Sequence, residues 1–269
     1  TISWTGNTVF GSGFSSITLG ESSENYSVTV NNTLSAAGPI TAYANNFSFA
    51  NGIGLTSSTS SNITINAKGN FGTAGTTRRT LSSAGGNINV YADADANGSG
   101  QLDIDYTTFN PGAGNITLRG ETMAWVTSVS TDKPYLNGTG TVTFEPSDAV
   151  FQDINTLWFY FDQDANGMSG LTLGKINNTG NITHDPAAIS VAGPISIYGG
   201  IVTLNANLTS TANGDIFIKS NTNVNGAASI AGNASILKTG GTGTLTMQSQ
   251  DRLNSGTITA SGSGVLNVI

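Results

Sequence analysis

Cysteine is absent from this chain of 269 residues, histidine occurs once, and only 9% of the residues are charged. Without cysteine there are no disulfides and no thiolate metal sites, which excludes the small disulfide-stapled domains. Secretion stays open, because a solenoid is stabilised by the stacking of its turns and can dispense with bridges. The lone His184 sits between Thr183 and Asp185, so two-histidine metal sites and Ser/His catalysis are excluded. No apolar run approaches the length needed to span a bilayer. Basic residues number 9 against 16 acidic ones and are scattered singly except at Arg78-Arg79, which leaves no electrostatic footprint for nucleic acid. The opening Thr1-Ile2-Ser3-Trp4 shows neither a basic n-region nor an apolar h-region, so any signal peptide is expected to be removed or to lie outside this sequence. Runs of Leu, Ala, Glu and Lys are missing too, and long helices are not expected.

What is present is glycine, 35 residues of it, and a polar half made of Asn, Ser and Thr. These side chains compete for nearby backbone groups and favour turns over helix. With 37% hydrophobic residues a substantial core is available, and the expected fold is all-β.

Short alternating segments recur from end to end, among them Ile63-Thr64-Ile65, Ile88-Asn89-Val90, Ile116-Thr117-Leu118, Leu171-Thr172-Leu173, Ile216-Phe217-Ile218 and Leu245-Thr246-Met247. Each is bounded by Gly, Asn, Ser or Pro, the pattern of a strand with one dry face. Many lie roughly 20 to 28 residues apart, in the range of one solenoid coil. A β-sandwich would share the strands but would need tight hairpin turns between them, and Asn-Gly pairs do occur at Asn51-Gly52 and Asn225-Gly226.

An internal repeat favours the solenoid. Gly38-Pro39-Ile40-Thr41-Ala42-Tyr43 returns as Gly193-Pro194-Ile195-Ser196-Ile197-Tyr198. Thr18-Leu19-Gly20 returns as Thr172-Leu173-Gly174, Leu55-Thr56-Ser57 as Leu208-Thr209-Ser210, and Asn62-Ile63-Thr64-Ile65 as Asp215-Ile216-Phe217-Ile218. Residues 15–90 are thus duplicated onto 170–249. With no compositional break that would serve as a linker, the expectation is one right-handed parallel β-helix over 1–269, a single continuous rod.

The stretches Leu171-Thr172-Leu173-Gly174-Lys175, Asn181-Ile182-Thr183, Ala192 to Gly200 and Leu204 to Thr209 resemble repeats of very large bacterial surface proteins. So does Tyr91 to Gly100. They are similar to filamentous haemagglutinins and other two-partner-secretion adhesins. The resemblance implies a right-handed parallel β-helix, export across the outer membrane, and adhesion or fibre formation at the bacterial cell surface. The secretion-directing N-terminal module of that family is not recognisable here.

Two site signals stand out. Asp93-x-Asp95-x-Asn97-Gly98 recurs as Asp162-x-Asp164-x-Asn166-Gly167. Oxygen ligands at alternate positions before a turn-forming Gly suit Ca²⁺. The twelfth loop position, where an EF-hand supplies a bidentate Glu, is Ile104 in one copy and Leu173 in the other; Asp103 or Asp105 would substitute in the first. Windows 91–105 and 145–164 contain no Lys or Arg, so their charge reads as uncompensated. The competing reading is a solvated Asp-rich turn between coils. The second signal is Trp158-Phe159-Tyr160-Phe161, where alternation turns one pair, Trp158 and Tyr160 or else Phe159 and Phe161, away from the core. The outward pair would bind a sugar ring or a neighbouring subunit, unless a loop from Glu145 to Asp153 covers it.

Enzymatic readings are weaker. Asp103 and Asp105 would share an outward face with Arg119 nearby, but the Gly-His-Gly and Arg-x-Lys elements of pectin-type hydrolases are missing. Ice binding would need flat ranks of Thr-x-Thr, and the outward positions are mixed. Asn-x-Ser/Thr sequons such as Asn62, Asn115, Asn181 and Asn207 arise from composition. The function expected is a secreted structural or adhesive segment of a bacterial surface protein, not an enzyme, with no nucleic-acid partner and no membrane span. Its partners would be other copies, adjoining segments of a longer chain, or surface glycans. The alternatives are a self-assembling extracellular fibre subunit and, more distantly, a β-helical polysaccharide-active enzyme or lectin-like binder. Because both ends read as mid-coil strands, the core is expected to continue past Ile269.

Overall fold

A segment such as Ile63–Ala67 has to part its side chains, since successive residues of a strand point to opposite faces. Ile63, Ile65 and Ala67 are completely buried, while Thr64 and Asn66 are half-buried on the other side. The computed structural model describes residues 13–23, 25–73, 76–124, 133–148, 154–155, 160–161, 167–184, 188–221, 229–232, 235–238, 241–249, 252–253 and 258–269. Among these the regular structure is all β-strand, and strands pair in parallel with their counterparts one coil away, as in Ile40↔Ile63 and Ile195↔Ile216. The fold is a parallel β-solenoid.

The chain divides into two units, Thr1–Gly140 with Trp158–Asp162, and Thr141–Leu157 with Gln163–Ile269. The first unit has three faces. Its first face stacks Ile17–Leu19, Ile40–Ala44, Ile63–Ala67, Ile88–Tyr91 and Ile116–Gly120. Its second stacks Val28–Val30, Phe47–Phe49, Phe71–Thr73, Gln101–Asp103 and Thr122–Ala124. The third runs from Leu34–Ala36 through Leu55–Ser57, Arg79–Ser83, Thr107–Asn110 and Tyr135–Leu136 to Tyr160–Phe161. The second unit repeats the plan, with a first face of Thr141–Pro146, Gly170–Leu173, Ile195–Gly199, Ile216–Ser220, Leu245–Ser249 and Leu266–Val268.

Register turns the alternation into ladders. Ile17, Ile40, Ile63, Ile88 and Ile116 stand in one inward column, at steps of 23, 23, 25 and 28 residues. On the second face Phe47 stacks on Phe71 at 6.1 Å with rings 4° apart, and Phe49 meets both rings edge-on. These rings are fully buried and fill the inside of the coil.

The duplicated segments occupy equivalent places in the two units, and the glycines they keep are the ones sterics demand. Gly20 (φ +71°) and Gly174 (φ +84°) each follow a first-face strand; a Cβ there would lie 2.2 Å from the Tyr43 carbonyl oxygen and 2.1 Å from that of Tyr198. Both conditions require glycine.

Candidate functional site at the acidic corner and the outer ranks

Asp93 begins a turn at the end of Ile88–Tyr91, with φ +52° and its side chain fully buried. One carboxylate oxygen accepts the Asn97 N–H at 2.8 Å and the other the Gly98 N–H at 3.1 Å. Asp95 accepts from the Asn97 side-chain amide at 3.0 Å, and the Ser99 hydroxyl donates to the Asn97 side-chain oxygen. The loop therefore brings Asp93, Asp95 and Asn97 together, and their oxygens already receive donors from within the loop. This is the bonding of a turn held by its own Asp side chain.

Asp103 and Asp105 do not share an outward face as alternation implied. The strand Gln101–Asp103 ends at Asp103, Ile104 is buried, and the chain turns through Tyr106 at φ +52°. Asp105 is consequently 7% exposed, and its N–H donates to the Asp103 carboxylate at 3.1 Å. Nor does the charge of Asp103 stand alone. Arg79, inward-facing at the start of Arg79–Ser83 and 0% exposed, interacts electrostatically with Asp103. Burial pushes the Arg79 guanidinium below its ordinary pKa, and the Asp103 charge acts in the opposite direction. The compensating cation comes from the preceding coil, so a window along the chain misses it.

The second acidic copy, Asp162, Asp164 and Asn166, lies outside the described residues, as do Trp158 and Phe159. Register pairs Tyr160 with Tyr135 and Phe161 with Leu136. His184 closes the strand Ile182–His184, is fully buried, and its Nε2 lies 3.1 Å from the Asn207 carbonyl oxygen.

Outside the core, register builds ranks of polar side chains. On the first face of the first unit Thr18, Thr41, Thr64, Asn89 and Thr117 stand one per coil, and beside them Tyr43, Asn66, Tyr91 and Arg119. The Arg119 guanidinium lies over the Tyr91 ring at 4.1 Å, a cation–π contact between adjacent coils. At the corner before these strands, Asn62 accepts the Asn87 N–H at 2.8 Å and Asn87 accepts the Asn115 N–H at 2.9 Å.

The first face of the second unit has the rank Thr143, Thr172, Ser196, Phe217, Thr246, Asn267. Phe217 is the exception, an aromatic ring where the other coils carry a hydroxyl or amide. It is half-buried, and its ring centroid lies 5.7 Å from that of Tyr198, at 48° between the rings. This pair lies outside the tetrapeptide Trp158–Phe161, from which exposed rings are expected. The signal was in the duplication, where Ile63-Thr64-Ile65 becomes Ile216-Phe217-Ile218 and only the outward residue changes class. No family model matches the chain, and neither a curated protein nor a solved structure matches it.

Proposed function

We propose that the chain is a structural and adhesive β-solenoid segment displayed outside a bacterial cell, doing binding and spacing work rather than catalysis. The observation that carries this reading is the register itself. The described interior is occupied by Ile, Leu and Phe ladders, so the chemistry available to a partner is on the outer ranks, where Thr, Ser and Asn predominate beside a few Tyr, Arg, Lys and Phe side chains. Among the described residues, His184 is buried with its Nε2 against a backbone carbonyl and Arg79 is buried inside its coil, which supports a structural reading. Polar ranks with few charges over a dry interior suit a wall that must stay folded in a changing extracellular medium.

The test is display. Cells producing the protein from its native gene are labelled with an antibody or a membrane-impermeant reagent, and the purified protein is assayed on a panel of polysaccharides. Surface labelling without turnover is the expected result. An intracellular protein, or steady cleavage of any polysaccharide, overturns the reading.

A further inference from the structure

Phe217 places a half-buried aromatic ring on the outer rank where each neighbouring coil has a small polar group, and its surroundings define what would cover it. Along its own strand the outward neighbour is Lys219, two residues on and about 7 Å away at the rise of a strand, while the exposed Asp215 stands at the corner just before the strand. Across the sheet it lies between Ser196 and Thr246 in its own rank. Lys219 stands between Tyr198 and Gln248 in the next rank. The patch is therefore a tilted aromatic pair with one carboxylate at one end and one ammonium at the other, ringed by hydroxyl and amide groups.

From this arrangement we propose that Tyr198 and Phe217 form a binding site for a neutral saccharide. The C–H face of a pyranose is apolar enough to lie on an aromatic ring, while its edge carries hydroxyls that both donate and accept. Asp215, which already accepts the Thr244 N–H at 2.7 Å, offers further acceptor capacity; Lys219 offers donors only. The two charges cancel across the patch, which favours an uncharged ligand over a sulfated or uronic one. The rank geometry adds a direction. Coils repeat every 4.7–4.9 Å or so, so a linear polysaccharide laid along the rank would meet Ser196, Phe217 and Thr246 in succession. This site does not depend on where the chain is displayed.

The experiment is titration calorimetry of the purified chain with hexasaccharides of glucose, xylose and mannose, and with a hexagalacturonate as the charged comparison. Two variants use residues that the fold already accepts at these positions, Phe217→Thr as at Thr64 and Tyr198→Asn as at Asn66. Binding of at least one neutral hexasaccharide, reduced tenfold or more in each variant at unchanged melting temperature, is the expected result. The site is overturned if both folded variants bind as the parent does, or if only the charged hexasaccharide binds. It is equally overturned if no hexasaccharide binds and the variants instead abolish self-association, which would make the patch a contact between copies. Should one variant fail to fold, the other decides.

Discussion

Asp93 and Gly174 show how single residues hold a coil corner. Gly174 combines a left-handed backbone with a carbonyl oxygen 2.1 Å from where a Cβ would sit, so Gly174→Ala meets two obstacles. The strained conformation alone costs about 1–3 kcal/mol. Gly174→Ala is therefore expected to melt at a distinctly lower temperature than Gly98→Ala, whose Cβ would meet nothing within 4 Å despite its φ of +80°. Equal melting temperatures would show that the Tyr198 backbone yields. Asp93 makes the complementary case. Because its carboxylate accepts two backbone N–H groups, Asp93→Ala should lose about 1–3 kcal/mol for donors left unsatisfied. That loss is expected in full with EDTA present. If it appears only when millimolar Ca²⁺ is added, the loop is held by a cation and not by its own turn.

At the scale of the element, the corner asparagines explain a recurrent tripeptide. In Asn62-Ile63-Thr64 and Asn115-Ile116-Thr117 the Ile points inward and the Thr outward, while the Asn stands at the corner where strand pairing begins. Asn181 does the same before another face, accepting the Ile201 N–H at 2.9 Å. A side-chain oxygen thus replaces a carbonyl where the ladder is interrupted, and the abundance of Asn follows. Substitution should reveal the difference between corner and face. Asn87→Ala is expected to cost about 0.5–1.5 kcal/mol, the net worth of one such bond. Asn89→Ala, whose amide reaches only Thr64 at 3.4 Å, should be near neutral by urea denaturation. The reverse order would mean that the outer ranks, not the corners, tie the coils together.

For the molecule as a whole, ladders of Ile, Leu and Phe and parallel backbone pairing supply the cohesion, and charge supplies little of it. Only 9% of the residues are charged, and the net charge is −7. Exposed pairs contribute little and are screened by salt, whereas the influence of Asp103 on the buried Arg79 is screened less. The melting temperature in 1 M NaCl is accordingly expected to stay within a few degrees of that at low salt. A large fall would point to surface ion pairs as the main cohesive force.

Much of this architecture is legible in the chain because alternation is a local property. Ile63-Thr64-Ile65 can bury its isoleucines only as a strand, and recurrence of that pattern about once per coil requires stacking. The duplication likewise marked its necessary glycines, Gly20 and Gly174. Contacts between coils are another matter, since the partner of a residue lies some two dozen positions away with loops of variable length between. That is why Asp103 reads as uncompensated along the chain although Arg79 of the preceding coil feels its charge, and why Asp105, outward by alternation, is buried beside a turn. Phe217 joins the two cases. Its departure from Thr64 was visible in the sequence, but a ring in an apolar triplet reads as core. Only the register, which places its neighbours Ile216 and Ile218 inside, turned it outward beside Tyr198.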